Sequence, residues 1–254
     1  MFRLRKGGRL SRIRGAEMCS RCDGLSRRQF VARATMGAAM AATALSLGLP
    51  GRPALAKTAL SPAEALEKLK AGNARFVSAP QLCEADIAKT REGVARGQSP
   101  WATVLTCADS RVSPELVFGG LNLGELFVAR NAGNMADTAT MGTIEYGAEH
   151  LGSPLIVVLG HERCGAVAAA SEVAQKGTKL PGSIGPMVDA ILPAAKDLMG
   201  GEGDFVDNVV RESARRTAAK IGESPIVAEL VHAGKVAIVH ARYDLDTGVV
   251  EFLS

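Results

Sequence analysis

An α/β fold, with a mostly parallel central β-sheet flanked by helices, is the architecture this sequence predicts, and three observations predict it. Short apolar, β-branched runs alternate with helical stretches from residue 101 onward. One of them, Leu155-Ile-Val-Val-Leu159, is apolar throughout, which marks a strand covered on both faces. Two of the runs also lead straight into polar, sulfur-containing segments, and parallel sheets place their functional crevice at the carboxyl ends of strands.

Composition supports a packed domain and removes some functions. Of 254 residues, 47% are hydrophobic and 22% charged, enough apolar material for a core and too much for disorder. Aromatics are only 4%, which argues against binding single strands by stacking. The net charge of +4 is unevenly spread: residues 1–56 hold 11 Lys/Arg and 2 Asp/Glu, whereas residues 57–254 hold 19 and 24. The basic character belongs to the first segment, and no nucleic-acid partner is expected.

Residues 1–56 read as a signal peptide. Ser26-Arg27-Arg28-Gln29-Phe30 carries paired arginines, followed by an uncharged, Ala-rich run from Ala34 to Leu49. Pro50, Gly51 and Pro53 then break any helix, and Ala54-Leu55-Ala56 offers small residues where a signal peptidase reads. The pattern is of the twin-arginine type, so the twin-arginine export machinery is an expected partner and the mature chain begins near Lys57. The expected location is periplasmic or secreted. An uncleaved membrane anchor is the alternative, although 16 residues fall short of the ~18–20 a span needs. Cys19 and Cys22 lie inside this segment, where Met18 is a second possible start, and receive no role; nor does Cys83.

Residues 57–100 form an N-terminal helical arm. Ser61-Pro62-Ala63-Glu64 combines a cap, a first-turn proline and an acidic residue, opening a helix with Ala65, Leu66 and Leu69 on its apolar side. A second helix is expected over 84–96. Residues 101–254 are the α/β domain, with strands over 101–106, 126–129, 155–159 and 235–240. Helices are expected over 138–151, 166–175, 184–198 and 204–231. Tyr243-Asp-Leu-Asp-Thr-Gly248 reads as a turn into a last strand over 249–253, so the tail is a β-hairpin.

The first of these strands runs into Cys107-Ala-Asp109-Ser-Arg111, and the third into Gly160-His161-Glu162-Arg163-Cys164-Gly165. If the two strands are neighbours, Cys107, His161 and Cys164 converge. Two thiolates and an imidazole are a sound ligand set for Zn²⁺, and three protein ligands leave the fourth position open, as in catalytic sites. A Cys107–Cys164 disulfide is the competing reading for an exported protein.

These segments resemble the β-class carbonic anhydrases. The likeness rests on Cys107-Ala-Asp-Ser-Arg-Val112, Gly124-Glu-Leu-Phe-Val-Ala-Arg-Asn131, Ile144-Glu-Tyr146 and Gly160-His-Glu-Arg-Cys-Gly-Ala-Val167. Leu69-Lys-Ala-Gly-Asn-Ala-Arg-Phe76, Gly97-Gln-Ser-Pro100 and Tyr243-Asp-Leu-Asp-Thr-Gly-Val-Val-Glu-Phe252 extend it over essentially residues 61–254.

The resemblance implies one Zn²⁺ per chain on Cys107, His161 and Cys164, with water in the fourth position, or Asp109 in a closed state. Arg111 matches the arginine that pairs with that aspartate and holds it off the metal, giving Asp109 and Arg111 the catalytic roles. Gln98, Phe127, Tyr146 and Gly165 match substrate-pocket positions, part of them across a dimer interface. The implied reaction is reversible hydration of CO₂ to bicarbonate by attack of zinc-bound hydroxide, in a homodimer or dimer of dimers; a CS₂ or COS hydrolase of the same family is the alternative. Arg130 matches part of an inhibitory bicarbonate site found in some members, but Val104 stands where those have Trp, and that site is not expected. His150 and His232 sit near helix ends and His240 at a strand terminus, and position alone assigns none of them a role as proton carrier. Arg211, Arg215 and Arg216 read as a solvated helix face.

Overall fold

A computed structural model of the protein describes residues 57–80 and 87–253; the signal segment, Cys19, Cys22 and Cys83 lie outside them. The described residues belong to one compact unit. In chain order the helices and strands are α1 (Pro62–Ser78), α2 (Ile87–Val94), β1 (Ala102–Cys107), α3 (Pro114–Val117), β2 (Leu126–Asn131), α4 (Thr138–Glu149) and β3 (Leu155–His161). They continue with α5 (Gly165–Lys176), α6 (Ile184–Val188), α7 (Leu192–Asp197), α8 (Phe205–Gly222), α9 (Pro225–His232), β4 (Ala237–Tyr243) and β5 (Val250–Leu253). No helix among the described residues is long and apolar enough to cross a membrane.

The sheet order is β2-β1-β3-β4-β5. The first four strands are mutually parallel and β5 pairs antiparallel with β4, as the sequence predicts. Alternation along β3 explains the layers: Leu155, Val157 and Leu159 pack on the face covered by α1, while Ile156 and Val158 pack with Ile144 of α4, Ile221 of α8 and Val227 of α9. Both faces are buried, so the strand has no polar side to show.

The arm is fastened to this domain. Ser61 and Glu64 form a reciprocal capping box at the start of α1, and Ala65 and Leu69 are fully buried. Gly72 is required by close approach, since a Cβ there would lie 2.0 Å from the Phe118 carbonyl oxygen. Beside it, buried Asn73 donates to the carbonyls of Val117 and Gly248, and accepts from the Val250 N–H at 2.8 Å. One amide thus ties the arm, α3 and the terminal hairpin together.

Several expected elements differ. Of the helix expected over 84–96, the described residues form Ile87–Val94, which ends two residues earlier than expected. The helix expected over 184–198 is two short helices, because Pro193 sits in the first turn of α7 and has no N–H to continue α6. The helix expected over 204–231 stops at Gly222 and restarts at Pro225, capped by the Ser224 hydroxyl on the Val227 N–H. The short α3 was not anticipated; four residues carry no periodicity to read.

His240 lies within β4 rather than at a strand end, and burial lowers its pKa. Of the three α8 arginines expected on a solvated face, Arg215 is exposed, whereas Arg211 and Arg216 are partly buried in ion pairs that reach other elements. Arg211 bonds Asp207 and Glu251 of β5, and Arg216 bonds Glu212 and Asp197 of α7.

Glu212, held first by Arg215 and then by Arg216, has its pKa lowered from 4.5 to about 2. A depressed carboxyl stabilises the fold fully above its unfolded pKa and loses that contribution as pH falls toward the folded value. Glu212→Gln should therefore lower Tm at pH 6–7, with the deficit shrinking through pH 4 and vanishing near pH 2, as read by thermal melts across that range.

Candidate metal centre

Strand pairing builds this site. β1 and β3 are adjacent and parallel, with Thr106 opposite Leu159, and the Thr106 hydroxyl donates to the Leu159 carbonyl at 3.0 Å. Both strands run further than expected, so Cys107 is the last residue of β1 and His161 the last of β3. The chain then turns through Glu162 and Arg163 to Cys164, the N-cap of α5. Cys107, His161 and Cys164 are all buried, and their ligand atoms lie within 4.8 Å of one another.

This arrangement fits a zinc ion. The sulfurs are 3.9 Å apart, against the ~3.8 Å that two ~2.3 Å bonds at a tetrahedral angle require. That separation is far outside a disulfide bond length of ~2.05 Å, and both cysteines are free. The His161 Nδ1 lies 2.8 Å from the Glu162 carbonyl oxygen, which accepts its proton and leaves the Nε2 lone pair for a ligand. Nε2 is buried and has no hydrogen-bond partner among the described residues, a cost that a bound cation would remove.

One of the two thiols is favoured for ionisation and the other is not. The Cys164 S–H directed at Cys107 pulls the Cys107 thiol well below its ordinary range, helped by His161 and the Gly133 N–H against the cost of burial. The same contact and burial push Cys164 up. Of the pair, Cys107 is the thiol that ionises first, and the second proton would leave only to a bound cation. Gly133, at φ +87°, presents its N–H to the Cys107 sulfur at 3.4 Å; a Cβ there would lie 2.7 Å from Ile191 Cδ1.

Asp109 is turned onto Arg111. The guanidinium donates from Nε to Oδ1 at 2.9 Å and from Nη2 to Oδ2 at 2.8 Å, and the Arg111 backbone N–H donates to Oδ1. This side-chain pairing is the main reason the Asp109 carboxyl is held far below the usual carboxylate range. Its Oδ2 stands 3.9 Å from His161 Nε2, beside the donor cluster and outside it.

The pocket positions are placed differently. Phe127 on β2 and Tyr146 on α4 come together, with ring centroids 6.1 Å apart, but Tyr146 is 48% exposed. Gln98 is exposed in the segment between α2 and β1. Gly165 opens α5 beside Cys164, with free space where a side chain would stand. Arg130 has a role that the sequence did not reveal: it donates to the carbonyls of Cys107 at 2.9 Å and Asp109 at 2.7 Å, bracing the ligand loop. Asn131, opposite Cys107 at the end of the β2 ladder, braces the following turn through Met135 and Thr140. Adjacent polar residues ending a strand were the available signal for both.

Fold and site together define a single α/β unit with a buried Cys₂His cluster, able to hold a metal ion, at its parallel strand ends. A family model described as carbonic anhydrase matches residues 102–250. Among curated relatives, carbonic anhydrase 2 of Mycobacterium tuberculosis is 38% identical over 192 residues, covering 74% of this chain and 91% of the relative. The carbonic anhydrase of Mycolicibacterium smegmatis is 37% identical over 197 residues, covering 76% and 94%. Among solved structures, the Coccomyxa β-carbonic anhydrase in complex with acetazolamide shows 27% identity and a TM-score of 0.59, covering 77% of this chain and 87% of its own. A tetrameric β-carbonic anhydrase of Sordaria macrospora shares the fold, with a TM-score of 0.60 at 22% identity over 66% and 87% of the two chains. The chain belongs to the β-class carbonic anhydrase family.

If Cys107, His161 and Cys164 hold the metal, Cys164→Ser should weaken zinc binding at least about a hundredfold and lower Tm, because metal binding is coupled to folding. Elemental analysis after dialysis checks this; retention of one zinc per chain would contradict the assignment.

Proposed function

We propose that the protein catalyses the reversible hydration of carbon dioxide to bicarbonate and a proton, using one Zn²⁺ per chain on Cys107, His161 and Cys164. The observation that carries this reading is the buried Cys₂His cluster with Asp109 held beside it on Arg111. Zinc bound there would supply an acidified water near neutral pH and a positive centre.

The remaining work falls to the chain. Two thiolates neutralise the charge of a divalent cation in a buried site, and the Glu162 carbonyl keeps the imidazole in the ligating tautomer. Arg111 keeps Asp109 from taking the fourth position, since a bidentate guanidinium pair competes with metal coordination. Asp109 stays ionised at neutral pH, so it accepts a hydrogen bond and orients the nucleophile without storing the proton. That proton leaves to solvent or buffer. The relatives reported above are named carbonic anhydrases, which favours carbon dioxide over CS₂ or COS as substrate.

A second copy of the chain completes the pocket in this reading, as a homodimer or dimer of dimers. Support comes from β2, an edge strand, and from Tyr146, which a single chain leaves open to solvent. The Sordaria relative is described as tetrameric.

A stopped-flow assay tests the reaction: the zinc-loaded protein should hydrate CO₂, lose activity with a chelator and regain it with zinc. No activity with one zinc per chain overturns the reading. Arg111→Ala should keep its zinc and lose about tenfold or more in kcat, as Asp109 moves onto the metal; a fully active variant removes Arg111 from the mechanism.

Export through the twin-arginine route is proposed from Arg27-Arg28 and Ala54-Leu55-Ala56. N-terminal sequencing of protein from the periplasm or medium should start at Lys57. A membrane-bound product beginning at Met1 or Met18 would replace this with the anchored alternative.

A further inference from the structure

The loop carrying His161 and Cys164 is clasped from outside by the turn between β4 and β5. The Glu162 N–H donates to the Tyr243 carbonyl at 2.9 Å, and its carboxylate accepts from the Leu245 N–H at 3.2 Å. Arg163, the residue before the second cysteine ligand, extends its guanidinium onto Asp246 of that turn. The pair is bidentate, at 3.1 Å from Nη1 and 2.7 Å from Nη2. The turn is itself braced, since the Asp244 carboxylate accepts from the backbone N–H groups of Asp246 and Thr247 and from Arg242.

Two further observations connect this clasp to the catalytic pair. Arg163 has φ +52°, a backbone conformation that L side chains rarely adopt and that persists only where its surroundings enforce it. The Arg163 carbonyl, placed by that conformation, accepts from Arg111 Nη2 at 3.5 Å. The same nitrogen holds Asp109 Oδ2. A chain of contacts therefore runs from Asp246 through Arg163 and Arg111 to Asp109. Glu162, Asp244 and Asp246 do bring three carboxylates within 4.8 Å, but each of them is already paired with Arg163 or Arg242, so the cluster is not taken as a cation site.

We propose that Asp246 and Arg163 are positioning residues for the hydration reaction: their ion pair holds the Arg163 carbonyl where it steadies Arg111, and so keeps Asp109 off the metal. This rests on the zinc-dependent reading above. Asp246 and Arg163 are 68% and 52% exposed, and exposed ion pairs contribute little to stability. Their loss should therefore appear in turnover before it appears in melting.

The test uses the zinc-loaded full enzyme with Asp246→Ala, Arg163→Gly, Arg163→Lys and the Asp246→Ala/Arg163→Gly double variant. Glycine at 163 tolerates the positive φ, so that change removes the side chain without adding strain. Each of the two truncations should lower kcat on the order of fivefold, short of the hundredfold that a 1 Å displacement of a reacting group can cost. KM, zinc content and Tm should stay near wild type. The double variant should be no worse than the poorer single, as expected for coupled partners, and Arg163→Lys should recover part of the loss by keeping the charge. Cobalt-substituted Asp246→Ala should shift its visible spectrum toward that of cobalt-substituted Arg111→Ala, reporting a carboxylate drawn to the metal. Wild-type kcat and spectrum in the variants, or losses that add in the double and follow Tm, would overturn the proposal. A zinc-loaded wild type with no CO₂ activity would instead fail the functional reading, and the cobalt spectra would still test the clasp.

Discussion

The parallel pairing of β1 with β3 is the constraint from which the site follows. With Thr106 opposite Leu159, the two strands end at nearly the same level, and the next residues outward include Cys107 on one and His161 on the other. A one-residue slip in either strand would exchange its two faces. Leu159 would then leave the α1 side of the core, and His161 would turn away from the cysteines. The packing that buries Leu155, Val157 and Leu159 against the arm thus also aims the imidazole. The register that maximises burial and the register that assembles the ligands are the same one.

Once the ligands are together, electrostatics sets the state of the site. A buried thiol pair 3.9 Å apart is poorly suited to carrying two negative charges without a cation, because burial penalises each charge and each raises the cost of the other. The nearby carboxylate would add a third. Arg111 removes that difficulty by taking Asp109 into a bidentate pair, while Arg130 braces the same loop through backbone carbonyls. The arginines around the cluster therefore do different jobs: one governs a charge, and the other governs geometry.

Most of the fold was legible because it rests on patterns that a linear reading can detect. The run 155–159 is apolar on both faces, Ser61–Glu64 spells a capping box, and the two ligand segments follow their strands directly. What escaped depends on local chemistry that competes with periodicity. Pro193 and Pro225 interrupt stretches whose apolar spacing reads as continuous helix. Four residues of α3 contain too little pattern to distinguish from a loop. At the site, the convergence of Cys107, His161 and Cys164 and the Asp109–Arg111 pair were readable because they sit within one or two short motifs. The supporting contacts were not, since Arg163 meets Asp246 across 83 positions and Asn73 meets Val250 across 177. No spacing rule reaches that far.

The two halves of the site differ in how complete a single chain makes them. Cys107, His161 and Cys164 are 5%, 0% and 1% exposed, so the ligand cluster needs nothing from outside to exclude water from its walls. The aromatic positions do not share that protection: Tyr146 stands 48% exposed beside Phe127 of β2, the strand at one edge of the sheet. An edge strand with an open aromatic beside it is a surface that folded proteins normally cover. Covering it with a second copy would bury the strand edge and give a small uncharged substrate its apolar wall in one step. On the function proposed above, a metal would be held by the folded monomer whereas the substrate pocket would depend on assembly, so dilution below the assembly threshold should cost turnover while leaving the metal in place.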